Sequence, residues 1–149
     1  MRAKTEAALL KKIAGIRRLQ RAAAEAEAAR AVAALSEKAQ ALKLRQDEEK
    51  AIEEHWQSSV SGPSVRLETM PIWAEAVARQ NTLTRNAAAA RDSASYAKDR
   101  GAAALYQAER QSDAAAEQAR LAWSEHLRKL EDDAVQDAAD RHLQHGGTR

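Results

Sequence analysis

Four histidines (His55, His126, His142 and His145) and a run of acids (Glu131, Asp132 and Asp133) are the first candidates in this sequence for holding a metal ion or moving a proton. Their spacing argues against both roles. A zinc site draws three or four Cys, His or carboxylate ligands to one point, yet the chain has no cysteine and no His-Glu-x-x-His motif. His142 and His145 sit in a polar tail, "HLQHGGTR", where at most a weak metal contact would form. Successive carboxylates on a helix point around it instead of converging, so the acidic run reads as a solvated face. No glycine-rich loop is placed to cradle phosphate, and no serine has His and acid partners in a readable motif. The expectation is a protein that is not an enzyme, with no cofactor and no metal, acting by binding.

Charge is distributed unevenly behind a formal net of +2. The first 21 residues hold Arg2, Lys4, Lys11, Lys12, Arg17, Arg18 and Arg21 against Glu6, whereas 131–149 hold Glu131, Asp132, Asp133, Asp137 and Asp140 against Arg141 and Arg149. Ends of opposite sign can pair with each other or orient a partner. The basic start carries no aromatics between its cations for base stacking and no arginine-dense region running into a zipper, so nucleic acid is not expected as the partner. Absence of cysteine excludes disulfides and fits a reducing compartment. There is no apolar run near the roughly 18 residues of a membrane span, and no signal-like hydrophobic core after the basic start. These features read as a cytoplasmic protein without membrane insertion.

Helices must position whatever does the binding. Of 149 residues, 37 are alanine, five glycine and two proline; alanine favours helix and buries little area, so a thick core is not expected. One helical pattern runs over 4–57. Leu9, Ile13 and Ile16 start a stripe, Ala28, Val32, Leu35, Ala39 and Leu42 continue it in a shifted frame that resembles a stutter, and Trp56 ends it. The stretch 58–70, "SSVSGPSVRLETM", breaks the pattern, with Thr69 placed to cap a second helix over 71–143 and Pro71 in its first turn. That second helix would be about 110 Å long.

Its expected seam is Trp73, Ala76, Gln80, Leu83, Ala87, Ala90, Ala94, Ala97, Gly101, Ala104, Ala108, Gln111, Ala115, Gln118 and Ala122, with Leu127, Leu130 and Ala134 following in a shifted register. Small residues at both seam positions would let two helix axes approach closely. The fold class expected is all-α, a single long two-helix antiparallel coiled-coil hairpin with an overhanging C-terminal segment. A turn centred near residue 64 makes facing residue numbers total about 129, which sets Trp56 against Trp73.

A long helix, a short break and a longer helix ending "ARLAWSEHLRKLEDDAVQDAADRH" resemble the small coiled-coil stalk proteins of type III export, the FliJ and YscO family. That resemblance covers the whole chain in architecture and roughly 121–141 in residues. It implies a stalk whose terminal end enters a hexameric export ATPase, while other surfaces touch the cytoplasmic domain of the export gate or escort secretion chaperones, at the periphery of an inner-membrane apparatus. Carried onto this chain, the ATPase-facing residues are Lys11, Lys12, Arg17, Arg18, Leu127, Leu130, Asp133 and Asp137. The gate- or chaperone-facing residues are Leu42, Glu49, Trp56, Trp73 and Ala76. Two other readings remain open: a structural or scaffold coiled coil that self-associates through leftover stripe residues, and a secretion chaperone or adaptor that binds a client helix. Departure from the flagellar type gives a slight preference for the injectisome system.

Overall fold

The computed structural model describes residues 2–62 and 64–146. Helix α1 is Arg2–Val60, a 3-10 turn covers Leu67–Thr69, and helix α2 is Met70–Gly146. The chain is an all-α helical hairpin, and no strand occurs among the described residues. Alanine supplies the propensity, and ion pairs one turn apart add to it: Arg21 with Glu25, Lys50 with Glu54, Glu75 with Arg79 and Glu125 with Lys129. Each such pair contributes about 0.2–0.5 kcal/mol.

Hydroxyls compete with the backbone where α1 stops. Ser59 Oγ donates to the His55 carbonyl at 2.9 Å and Ser61 Oγ to the Gln57 carbonyl at 2.6 Å, the local bonding that loosens a helix end. Thr69 does not cap α2 as expected. Its hydroxyl donates back to the Arg66 carbonyl at 2.8 Å and closes the 3-10 turn, from which α2 starts directly at Met70. Pro63, part of the expected breaker, lies outside the described residues.

Contacts divide the chain into two units, Ala26–Ala103 and Met1–Glu25 with Ala104–Arg149. Within the first, α1 and α2 are antiparallel. Ala28 approaches Gly101, Arg45 approaches Thr84 and Trp56 packs on Trp73, and each of these pairs totals 129, the expected register. A methyl group on Gly101 would sit 3.5 Å from the Ala28 Cα and 3.8 Å from the Ala31 Cβ. The Trp56 and Trp73 rings lie 6.5 Å apart at 52°, and His55 joins them 5.2 Å from Trp73. Between the rings and the glycine sits a polar clasp. Gln80, only 6% exposed, donates from Nε2 to the Arg45 carbonyl at 3.0 Å and to Glu48 Oε2 at 3.3 Å. Arg45 donates to the same carboxylate oxygen at 2.9 Å. A buried amide of this kind penalises slippage, because any other register strands it without partners.

The inward row differs from the expected seam at several of its alternate positions. In this unit α2 turns Trp73, Val77, Gln80, Thr84, Ala87, Ala94, Lys98 and Gly101 toward α1, all buried or half-buried. The positions seven apart are as expected; alternate ones lie one residue later at Thr84 and Lys98, Ala76 and Val77 are both half-buried, and Ala90 is half-buried as expected with Arg91 exposed. Leu83 is 36% exposed and Ala97 is exposed, so neither belongs to the seam; Ala76 and Ala90 are half-buried beside it. The second seam position is therefore not uniformly small: it carries Val, Thr and Lys. On α1 the row is Ala28, Ala31, Leu35, Leu42, Arg45, Glu49, Ile52 and Trp56, while Val32 is 55% exposed and Ala39 exposed.

In the second unit α1 turns Ala7, Leu10, Ala14, Arg17, Arg21 and Ala24 inward against Leu105, Ala108, Ser112, Ala115, Ala119, Ala122 and His126 of α2. Leu9, Ile13 and Ile16, expected to begin the stripe, are 55%, 45% and 55% exposed, and Ala104 is exposed. The α1 rows keep steps of three and four apart from one of seven between Leu35 and Leu42, and seven is a whole heptad, so the frame does not shift where the stutter was expected. Apolar burial is thin: among the described residues only Ala7, Ala14, Leu42 and Ala115 are buried hydrophobics. The chain exposes 11966 Å², against about 7,500 Å² for a compact protein of its mass.

Substitutions at the glycines should read out this geometry. Gly15 has no atom within 4 Å of an added methyl, so Gly15→Ala is expected to stabilise by about 1 kcal/mol through propensity alone. Gly101→Ala should also be tolerated, whereas Gly101→Leu should cost about 1–3 kcal/mol by overpacking; Ala104→Leu, on the surface, should shift stability by less than about 0.5 kcal/mol. Thermal melts of the four variants decide it. The clasp makes stability depend on pH, because the Arg45 guanidinium and then the Gln80 amide hold the Glu48 carboxyl below its ordinary value. Its contribution is present above the unfolded value and lost as pH falls through the folded one. The melting temperature should hold from neutral to about pH 5 and then drop, with a smaller drop in Glu48→Gln.

Candidate interaction surface on the terminal unit

Surface chemistry concentrates in the unit formed by the start of α1 and the end of α2. Two of its arginines occupy inward positions and are spent on the hairpin itself. Arg17 donates to Gln111 Oε1 at 2.9 Å and Gln20 Oε1 at 3.0 Å. Arg21 reaches Glu109 at 3.8 Å and Asp113 at 3.6 Å across the seam, besides Glu25 at 3.2 Å on its own helix. Long cationic side chains serve here because their stems cover apolar surface while their heads find acids at the rim. Lys4, Lys11, Lys12 and Arg18 are exposed and have no ion pair among the described residues. The expected ATPase-facing set thus separates: Lys11, Lys12 and Arg18 are free cations, and Arg17 is a structural one.

The inward row of α2 ends at His126, 9% exposed and packed 5.6 Å from the Trp123 ring. A shallow recess beside it is lined by Glu6, Ala122, Glu125, His126 and Lys129. From Leu127 to His145 every residue is exposed, and Glu6 of α1 shares the recess that Lys129 lines. This stretch carries Leu127, Leu130, Asp133 and Asp137, with the leucines 44% and 50% exposed. A second apolar set, Leu9, Ile13 and Ile16 of α1 with Leu121 of α2, is also exposed. Nothing in the residues taken for seam by spacing had marked it as surface.

The residues expected to face a gate or chaperone lie in the other unit and turn inward. Leu42 is 9% exposed, Glu49 is half-buried in the α1 row, Trp56 and Trp73 pack on each other, and Ala76 is half-buried. Burial removes Leu42 from any partner surface. Large apolar side chains that do face outward near the hairpin turn are Val65, Leu67 and Ile72, at 43%, 74% and 68% exposure. The β-branched breaker residues and Leu67 were read as punctuation, which hid them as surface.

No group of three or more His, Cys, Asp or Glu side chains is placed to hold a metal ion among the described residues, and no described helix is long and apolar enough to cross a membrane. His142 lines an open recess with Ala138, Arg141 and His145. Elsewhere one carboxylate is perturbed by a local partner: Glu117 is held below its ordinary value by Arg120, which is raised in turn.

The division of cations is testable by substitution. Lys11→Glu and Arg18→Glu should each leave the melting temperature within the shift given by about 0.5 kcal/mol. Arg21→Glu should lower it clearly, because it sets a carboxylate against Glu109 and Asp113. Equal melting of all three variants would show that the Arg21 bridges contribute nothing. Comparison of the chain with family models, curated proteins and solved structures finds no match.

Proposed function

We propose that this protein is a stalk-like adaptor that works by presenting the uncovered end of α2 to another protein. One observation carries the reading: residues 127–145 remain helical with every residue exposed to solvent in part or in full, and they hold Leu127 and Leu130, 44% and 50% exposed, on a segment dense in acids. An isolated helix gains most of its stability from packing an apolar face, so an exposed helix with such a face is suited to being covered by a partner. The free cations Lys11, Lys12 and Arg18 stand on the same unit and add long-range steering, worth more in association rate than in affinity.

The resemblance to type III export stalks supplies the finer reading. The partner is then a hexameric export ATPase that receives the terminal unit, the location is the cytoplasmic periphery of an inner-membrane secretion apparatus, and contact with an export gate falls to the turn region. Leu67 and Ile72 suit that contact better than Leu42 or the paired tryptophans, since they are exposed. A second reading, an adaptor for a client helix, is favoured by the face of Leu9, Ile13, Ile16 and Leu121, which is apolar and open.

Truncation tests the stalk reading. Removing 128–149 takes nothing from the inward row, which ends at His126, so the shortened hairpin should melt close to the intact one. It should lose binding to, and stimulation of, the hexameric export ATPase of its own system. The triple substitution of Lys11, Lys12 and Arg18 to Glu should weaken the same binding, and rising salt should weaken it further. Unchanged ATPase binding and turnover with the intact, truncated and charge-reversed chains would sink the stalk reading.

A further inference from the structure

We infer that the chain pairs with a second copy of itself through residues 120–137 of α2, in an antiparallel, two-fold arrangement. Trp123, Leu127, Leu130 and Ala134 recur at steps of four, three and four, the spacing of a coiled-coil seam. This row is displaced by one position from Ala122 and His126, so α1 does not cover it, and its three large members are 50%, 44% and 50% exposed.

A two-fold interface requires self-complementarity, since residue i on residue j entails j on i. With the axis between Arg128 and Lys129, Trp123 falls opposite Ala134 of the second copy and Leu127 opposite its Leu130. A bulky ring then meets a methyl group and the leucines interdigitate. Arg128 and Lys129, nearest the axis in number, point away from the row on a helix whose inner positions are 127 and 130. The next layer outward sets Asp137 against Arg120 of the second copy.

Charge selects this arrangement over a parallel one. Arg120 lies opposite Asp137 when the helices are antiparallel, whereas parallel helices would set each charge against its own copy; Glu125, opposite Asp132, is held by Lys129 of its own helix at 3.6 Å. Helix α1 extends the match. Arg18 and Ala116 line one recess, which puts Lys11, seven residues before Arg18, on the side of Trp123, seven after Ala116. The same reversal brings Asp133 and Asp140 of the second copy to the levels of Lys4 and Lys11. All four of these charges are exposed and have no ion pair among the described residues. The inference holds whatever partner the hairpin serves, and a partner using Leu127 and Leu130 would have to displace the second copy.

Sedimentation equilibrium of the full chain over a concentration series tests this directly. The intact chain should form a dimer and Leu130→Asp should be monomeric at the same concentrations, with its helical circular dichroism retained. Asp137→Arg and Arg120→Asp should each weaken dimerisation roughly tenfold or more, since each alone creates two like-charged contacts. An equal mixture of these two variants should dimerise again, because the mixed pair restores both opposite contacts. A chain monomeric throughout, a dimer unaffected by the three substitutions, or a mixture that fails to regain dimer would overturn the arrangement.

Discussion

Close approach of two helix backbones is the constraint on which the hairpin depends. Gly101 lies within a methyl's contact distance of the Ala28 Cα, and Ala7, Ala14 and Ala115 occupy other points of the inward rows with almost no exposure. Alanine contributes little transfer energy per residue, so stability arises from many short-range contacts and from high helix propensity instead of a few large buried side chains. At Gly101 and at the buried alanines a seam this narrow leaves no room for a branched side chain, whereas Leu10, Leu35, Leu42, Ile52 and Leu105 fill its wider points. Many of the bulky residues of the terminal unit stand outside it: Leu9, Ile13 and Ile16 on α1, Leu121, Leu127 and Leu130 on α2.

Narrowness also explains the polar content of the interface. Gln80, Ser112 and His126 are buried, and Arg17, Arg21, Arg45 and Lys98 occupy inward positions. Polar and charged side chains are tolerated because the long ones reach the rim of a seam only one side chain wide, and no buried side-chain nitrogen or oxygen is left unpartnered among the described residues. They give the pairing its specificity. An alanine row repeats too regularly to define one register, whereas Gln80 held between the Arg45 carbonyl and Glu48 has its partners at one alignment only. Function follows from the same economy: the large apolar side chains left out of the seam, Leu9, Ile13, Ile16, Leu127 and Leu130 among them, are available for other surfaces.

Helix content, antiparallel register and the tryptophan contact were all legible in the residues. Composition dictates helix, the serine-rich breaker dictates a hairpin, and the breaker's position fixes which numbers face each other, so Trp56 meets Trp73 without further information. Thr69 was misjudged because a hydroxyl before a helix can bond forward to an amide or backward to a carbonyl, and the sequence is the same for both. On α1, the largest apolar residues were taken for the stripe. That rule fails when the partner surface comes too close for them, which is why Ala7 and Ala14 are inside and Ile13 and Ile16 outside.

What the sequence by itself determined is the element order and the level at which each residue of one helix meets the other. Which way each side chain turns was decided only by the tertiary structure. In "AAAA" at 87–90 or "GAAA" at 101–104 the neighbours of a seam residue are as small as the seam residue, so steps of three and of four carry the same hydrophobic signal. Packing against α1 resolves the tie. It selects Val77, Thr84, Lys98, Leu105 and Ser112 over Leu83, Ala97 and Ala104, because a coiled coil keeps one phase along its whole seam. In the terminal unit the same selection leaves Leu121, Leu127 and Leu130 exposed.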